Sequence, residues 1–305
     1  MQKTNPSYFG FNSLNKVGVL YNQMKLNEFD KMDNKYVFGA ISFDNLDFSL
    51  GLDINSFKIQ NTGLTINLAN LSYVYKLQFD NDLFFLPAVS LGFGSSAVNP
   101  GNLIFEDQLN TTTGFINTES IDRLAPVISN VNYLDLGASF MLHSEKFMAG
   151  LTLKHLNKPN TSFNKEVPFE KPIKISVQGA YEFNINPYER RYLPRYSYLF
   201  TYGSFTKFGD SVLIYLSQDF QLGEFSLGLS QQASSLNTFA LNNVGVSIGL
   251  AVENFDFGIL YNFPFQSPGA VFSPSIFELF VTFDFSIYRR NRRGQYNRLQ
   301  TDNYF

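Results

Sequence analysis

The stretch from residue 242 to 263 constrains the fold more than any other part of the chain. Large apolar residues alternate with small or polar ones along two successive runs, at Val244, Val246, Ile248, Leu250 and Val252 and then at Phe257, Ile259, Tyr261 and Phe263. Because side chains of a β-strand point alternately to its two faces, all the large ones lie on one face. The stretch therefore predicts an antiparallel hairpin, either in a soluble sandwich or in a membrane barrel whose apolar face meets lipid.

The same alternation recurs along almost the whole chain and predicts an all-β fold. We expect about fourteen strands, most of them with the roughly 9 to 11 residues that cross a bilayer at a tilt. They are placed at 16–26, 34–44, 48–59, 62–78, 82–98, 133–143, 147–157, 173–185, 195–207, 211–221, 224–235, 243–253, 256–264 and 275–288.

The connections between these strands fall into two alternating length classes. Every second one is a tight polar turn: 44–47, 80–82, 144–146, 222–223 and 253–256. The others are longer: 27–33, 99–132, 158–172, 236–242 and 265–274. Three connections break the rule. Two that should be long are short, 60–61 and 208–210, and one that should be a short turn is long, 186–194. Short turns at one end and long loops at the other are how outer-membrane barrels are built.

Composition favours the membrane barrel over the soluble sandwich. Charged residues make up 16% of the chain, against about 25% in ordinary globular domains. Aromatic residues reach 17%, yet the mean hydropathy is only -0.10. No run approaches the roughly 18 apolar residues of a spanning helix. We therefore predict a transmembrane antiparallel up-and-down β-barrel in outer-membrane lipid, with short periplasmic turns and longer extracellular loops.

An even number of strands returns both chain ends to the short-turn side, which is the periplasm. The chain then divides into an N-terminal periplasmic segment (1–15), the barrel (16–288) and a basic periplasmic tail (289–305). The start at Met1 lacks the apolar core of a secretory signal. If the protein is exported to the outer membrane, its signal peptide is absent from the numbered sequence.

The alternation also assigns side chains to the two faces of the barrel. Large apolar rows that we expect to face lipid include Phe48, Leu50, Leu52 and Ile54 in one strand and Phe225, Leu227 and Leu229 in another. Because Trp is absent, Tyr and Phe must form the aromatic girdles, and the candidates are Tyr73, Tyr75, Tyr181, Tyr202 and Tyr261. Candidate charges of the lumen are Asp53, Lys174, Glu182, Asp219 and Asp284.

The sequence holds no pattern typical of an enzyme, and we predict no catalytic site, cofactor or metal. Cys is absent, and the motifs of zinc proteases, serine hydrolases and P-loop proteins do not occur. The two histidines, His143 and His155, fall near strand ends and suit an ordinary structural role. With a net charge of -3 there is no general cationic field for nucleic acid.

Arginines cluster in two places that the predicted topology brings to the periplasmic side. Arg190 and Arg191 occupy the one long connection of the short-turn class, and the tail begins with Arg289, Arg290, Arg292 and Arg293. These arginines suit either a solvated flank that keeps the last strand from sliding into lipid or a surface that docks a partner.

Several short segments resemble one family of membrane proteins. The opening Asn5-Pro6-Ser7-Tyr8-Phe9-Gly10 resembles the Asn-Pro-Ala-Tyr/Phe-x-Gly motif that begins mature PorP/SprF-type proteins of the type IX secretion and gliding machinery. Residues 17–23, ending at Gln23, are similar to that family's first strand, residues 150–159 to its "GlSv-hl-xP" segment, and 274–278, ending at Glu278, to its closing segment. Two departures are Met24, where the family usually has Trp, and the missing Gly-Ser-His before Glu278.

The resemblance implies an outer-membrane barrel that supports secretion or surface attachment of adhesin-like cargo. It also implies coupling to the periplasmic ring and motor proteins of the type IX system. Two alternatives remain open at this point. A barrel of about fourteen strands encloses a lumen unless loops fill it, so a channel for small or hydrophobic solutes is one. A soluble β-rich binding protein is the other.

Overall fold

The computed structural model describes residues 1, 3–13, 15–25, 31–43, 46–80, 82–99, 104, 106–109, 114–116, 130–164, 167–188, 191–194, 197–235, 239–265 and 275–285. The chain begins with a 3₁₀ helix (Pro6–Ser13), and a second, short one follows at Glu106–Gln108. The strands are β1 (Lys16–Lys25), β2 (Lys31–Phe43), β3 (Phe48–Ile59), β4 (Thr65–Tyr75), β5 (Leu77–Asp80), β6 (Leu83–Ala97), β7 (Asn130–His143), β8 (Phe147–Lys154), β9 (Lys174–Asn184), β10 (Ser197–Phe208), β11 (Ser211–Leu222), β12 (Phe225–Ser235), β13 (Phe239–Val252), β14 (Phe255–Pro264) and β15 (Ser275–Asp284). Among the described residues, no helix is long and apolar enough to cross a membrane.

The strands form one closed antiparallel barrel in which neighbours in the chain are neighbours in the sheet. The ring closes between β1 and β15, where Lys16 lies opposite Asp284 and Lys25 opposite Ser275. Since β4 and β5 both pair with β6 and are separated only by Lys76, they act as one strand. The barrel therefore has fourteen strands, and the predicted all-β barrel is confirmed. Within the described residues, closure gives each of the fourteen strands a partner on both sides, as the interior of a bilayer requires, although β8 pairs with only Ala138–His143 of β7.

Side-chain exposure follows the period of two. In β13, Val246, Ile248 and Leu250 are exposed, whereas Gly245 just before this run and Ala251 just after it are buried. The outward rows predicted for β3 and β12 are exposed as well, from Leu50 to Ile54 and from Phe225 to Leu229. The apolar face thus surrounds the barrel and the small or polar face lines its lumen.

The prediction that Tyr202 belongs to an aromatic girdle is wrong. Tyr202 is only 7% exposed and lies on the inward row of β10 beside Tyr198 and Phe200. In this strand the inward row is itself aromatic, so the size of a side chain does not reveal its face. Tyr73, Tyr75, Tyr181 and Tyr261 are exposed on the outside as expected.

The connections follow the two length classes with exceptions: 209–210 and 236–238 are short although they belong to the long class, and 185–196 is long although it belongs to the short class. We call the end of the barrel that carries 44–47, 81–82, 144–146, 185–196, 223–224 and 253–254 the short-turn end. The opposite, long-loop end carries 26–30, 60–64, 98–129, 155–173, 209–210, 236–238 and 265–274. The turn at 223–224 needs only two residues because Gly223 adopts a φ of 63°, which matches the twist of the two strands it joins.

Candidate functional site

The N-terminal segment lies inside the barrel. We name residues 3–11 the plug. Phe9 and Phe11 are each 1% exposed and belong to a cluster with Phe38, Val74 and Leu86. All three of these partners lie on inward rows of the wall, in β2, β4 and β6. The plug therefore packs against the lumen side of the barrel.

The plug follows the long dimension of the lumen. The Phe11 ring lies at a tilt against the ring of His143, the last residue of β7 before a short turn, with ring centroids 4.8 Å apart. At the other end, the Lys154 Nζ at the end of β8 donates to the Lys3 carbonyl oxygen at 3.1 Å. The Thr4 side chain also hydrogen-bonds Tyr202 on β10. The sequence predicted a periplasmic segment at residues 1–15. The structure places residues 3–11 of it inside the barrel, against the inner side of the wall. The side of the membrane from which the plug enters stays a prediction.

The opening motif supplies the polar contacts of the plug. The Asn5 Oδ1 accepts from the Ser7 backbone N–H at 2.9 Å, and the Asn5 Nδ2 donates to the Phe140 carbonyl oxygen at 3.3 Å. Ser7 bonds Ser139 of β7 twice, through its backbone N–H at 3.1 Å and its hydroxyl at 2.8 Å. Since Asn5 and Ser7 are almost fully buried, these bonds satisfy groups that would otherwise be costly to bury.

The remaining motif residues set its shape. Pro6 is buried at the first position of the 3₁₀ helix, where the N–H that proline lacks is not needed. At Gly10 a Cβ would come within 2.7 Å of the Val74 Cγ1, and at Gly51 within 2.2 Å of the Phe9 ring. Both glycines therefore permit a close approach of the plug and the wall that no larger residue allows.

The other two motif positions, Glu278 and Gln23, lie on opposite faces of the barrel wall. Glu278 lies on the inward row of β15 and accepts a hydrogen bond from the Asn22 Nδ2 at 3.1 Å. Burial lowers the pKa of the Lys3 ammonium in the plug, and the Glu278 carboxylate opposes that shift. Gln23, in contrast, lies on the outward row of β1 and donates to the Asp33 Oδ1 at 3.2 Å. Asn5, Pro6, Gly10 and Glu278 thus all lie on the lumen side, whereas Gln23 lies on the outer face.

The comparison with protein families decides the identity. The family described as "Type IX secretion system membrane protein PorP/SprF" matches residues 3–283, a span that includes both the plug and all fourteen strands up to residue 283. The chain belongs to the PorP/SprF family. A search of curated proteins finds no match.

Solved structures show the fold alone at these low identities. The toluene transporter TbuX of Ralstonia pickettii is 10% identical with a TM-score of 0.54, covering 93% of this chain and 92% of its own. A deletion mutant of the TodX monoaromatic hydrocarbon channel is 13% identical with a TM-score of 0.54, covering 92% and 93%. This PorP/SprF chain therefore shares its architecture with outer-membrane barrels.

The lumen wall of this family member is polar. The five predicted lumen charges all lie on inward rows, at Asp53, Lys174, Glu182, Asp219 and Asp284. Asp53 accepts from the Asn70 Nδ2 at 2.9 Å, and Asp219 accepts from the Ser247 hydroxyl at 3.0 Å. These two carboxylates thus line the barrel interior with neutral partners, one on the next strand and one two strands away.

The sequence did not reveal the arrangement at the end of β8. His155 has a φ of 61°, and its Nδ1 lies 2.9 Å from the Asp135 Oδ2. The Asn157 side chain then accepts from the Leu136 backbone N–H at 3.0 Å and donates to the Leu134 carbonyl oxygen at 2.8 Å. An asparagine amide thereby replaces a missing strand residue as the partner of β7. This is the segment that resembles the family at 150–159.

Of the predicted docking arginines, the structure describes Arg191, which is exposed between β9 and β10. This connection is held by the buried Asn186, whose Nδ2 donates to the Pro194 carbonyl oxygen at 3.2 Å. The other predicted docking arginines, Arg190, Arg289, Arg290, Arg292 and Arg293, lie outside the described residues. Within the described part of the chain, no group of three or more His, Asp or Glu side chains is placed to hold a metal ion.

Proposed function

We propose that this barrel is the outer-membrane component through which a type IX system secretes or surface-attaches adhesin-like cargo, and that its short-turn end couples to the periplasmic ring and motor. Membership of the PorP/SprF family supports the type IX context. The observation that carries the proposal is the plug. The family match begins at its first residue, and motif side chains pack it against the inner wall, which suits a regulated assembly component better than a permanently open pore.

The short-turn end offers a surface suited to a protein partner. Tyr188 is 80% exposed and Tyr192 is 71% exposed, and the two flank Arg191 in the one long connection at this end. Tyr and Arg are the side chains that most often dominate the energy of protein interfaces. Together with the tail arginines from Arg289 onward, this surface is expected to attract an acidic partner, with an association rate that falls as salt rises.

The test removes the positive charges of the tail and measures how much of the periplasmic partner co-purifies with the barrel. Exchanging Arg289, Arg290, Arg292 and Arg293 for Ser together, or ending the chain after Tyr288, should reduce co-purification of ring components from outer membranes. Single exchanges should do little, because each exposed ion pair contributes only up to about 1 kcal/mol. A matched control is Lys146→Ser in another short turn. Undiminished co-purification and secretion, with normal heat-modifiable migration on gels, would leave the tail as a solvated flank.

A solute channel is the second candidate, since a toluene transporter and a monoaromatic hydrocarbon channel share the fold. The plug argues against it. In a liposome-swelling assay with small sugars, the intact protein should not admit the sugars, whereas a variant lacking residues 3–11 should admit them. Uptake by the intact protein at the rate of the plug deletion would favour the channel.

A further inference from the structure

The outer face of β1, β2 and β3 changes from apolar to charged within a single row of paired residues. Val19, Val37 and Ile54 are opposite one another in the register and all about half exposed. The next outward row toward the long-loop end is Tyr21, Lys35 and Ser56, and the one after it is Gln23, Asp33 and Lys58. The last is Lys25 opposite Lys31.

Four lysines therefore share this end of the outer face, and we name Lys25, Lys31, Lys35 and Lys58 the lysine patch. Lys25 and Lys31 are directly opposed across the strand pair. Like charges in that position repel each other and destabilise a sheet. Such a pair is expected where an anion lies against it.

The carboxylate in the middle of the patch, Asp33, interacts with the charge of Lys35 but is a single negative charge among four lysines. The Asp33 Oδ1 accepts from the Tyr21 hydroxyl at 2.9 Å and from the Gln23 Nε2 at 3.2 Å, and its Oδ2 accepts from the Gln60 Nε2 at 2.9 Å. Neutral donors thus surround it. Among the residues that the structure describes, none of the four ammonium groups lies within 4.0 Å of a carboxylate oxygen.

A cleft of about 470 Å³ adjoins the patch. It is lined by Asp33, Lys58, Gln60, Gly63, Thr65 and Asn99. Asp33, Lys58 and Thr65 belong to outward rows, so the cleft opens on the membrane side of the wall rather than into the lumen. Its lining combines the Lys58 ammonium group and neutral hydrogen-bonding groups with the Asp33 carboxylate, so a sugar hydroxyl fits beside Asp33 and a phosphate beside Lys58.

The nearby strands β13 and β14, which are separated from β1 only by β15, lack this feature. On β13 and β14 the outward row remains apolar to the same end, with Val244 opposite Phe263, and Phe263 is 55% exposed. The patch is therefore a local property of β1–β3 and not a general rim of charge.

We propose that the lysine patch binds the phosphorylated headgroup of a lipid in the outer leaflet. The apolar row next to the patch on the side of the bilayer centre, Val19, Val37 and Ile54, contacts the acyl chains of the lipid. The aliphatic parts of the lysine side chains extend along the wall and place the ammonium groups at the phosphates. This continuity of apolar wall and ammonium groups selects a lipid rather than free phosphate. Lipid A, the phosphorylated glycolipid of that leaflet, is the probe with the matching chemistry.

The test measures lipid A binding to the full-length barrel in phosphatidylcholine nanodiscs. Replacing all four lysines of the patch with Gln should weaken binding about tenfold or more. Lys25→Gln with Lys31→Gln should produce part of that loss. The matched control is Lys158→Gln with Lys207→Gln, two lysines near the long-loop end that are outside the patch, and it should bind as the wild type does. Heat-modifiable migration verifies that each variant is folded.

Two further binding measurements test whether the phosphates of the lipid are the groups that the patch recognises. Lipid A from which the phosphates have been removed should bind the wild type as weakly as phosphorylated lipid A binds the fourfold variant. Inorganic phosphate at millimolar concentration should not compete. Equal binding by the fourfold variant and the wild type, equal binding of the dephosphorylated lipid, or full competition by inorganic phosphate would each overturn the proposal.

Discussion

Phe9 and Gly51 show how a single pair of residues seats the plug. The ring of Phe9 lies over the glycine so closely that any side chain there would overlap it. Because protein interiors are close-packed and give little, such an overlap displaces one partner instead of compressing both. The plug is the smaller and less extensively paired partner, since the wall is held by continuous ladders on both sides.

We therefore expect Gly51→Val to dislodge the plug while the barrel stays closed. The measurement is maleimide labelling of a Ser7→Cys variant, which is the only thiol because the chain has no Cys. Labelling should be slow in the parent, where Ser7 is buried, and fast with Gly51→Val. Gly39→Val is the control, since a Cβ at Gly39 meets only the Val17 Cγ1 at 3.7 Å. Equally slow labelling in both variants would show that Phe9 does not depend on Gly51.

Adjacent residues of β13 provide a second test at this scale. Ile248 is 51% exposed to the outside, and Ser247 points inward, where its hydroxyl reaches Asp219. Ile248→Arg should cost about 2 to 4 kcal/mol near the bilayer midplane, whereas Ser247→Arg should cost much less because its charge enters a polar lumen. Folding titrations into vesicles measure both, and equal costs would contradict the assigned faces.

At the scale of elements, the ends of the strands decide which connections can be changed. The longest connection leaves β6 and enters β7 at the pair Ala97 and Asn130, which are already opposite each other in the ladder. The entropic cost of closing such a connection rises only slowly with its length, by about 0.6 kcal/mol for each doubling. Its length is therefore not needed for the barrel, and long loops on rigid scaffolds commonly serve binding.

Shortening 104–128 should accordingly leave barrel stability unchanged and reduce retention of cargo at the cell surface. Surface cargo is quantified on intact cells, and heat-modifiable migration reports the barrel. The control is a shorter deletion in the connection at 155–173 that keeps His155 and Asn157, which support β7. Cargo retention that survives the first deletion would exclude this loop as the capture surface.

At the scale of the whole molecule, the barrel is asymmetric inside and outside. The plug packs on the wall formed by β2, β3, β4, β6 and β7, and the lysine patch occupies the outer face of β1–β3. One side of the barrel thus carries most of the specific contacts. The outward rows of β12–β14 are regular and apolar.

Alternation, strand length and loop class were sufficient to predict the all-β barrel, its strand number and the facing of most rows. These properties are local, because each depends on residues two apart or on one connection. Membership of the PorP/SprF family was also visible in short segments. The opening motif marked Asn5, Pro6 and Gly10 as important, although nothing in their spacing indicated what they contact.

The position of the plug was decided only by tertiary structure. Ser7 and Ser139 are separated by 132 residues, and no periodicity connects them. The same holds for the inward aromatic row of β10, which becomes buried only because the opposite wall and the plug complete the lumen around Tyr202. A pattern in sequence shows that a strand has two faces, but the identity of the inner one depends on what the closed barrel encloses.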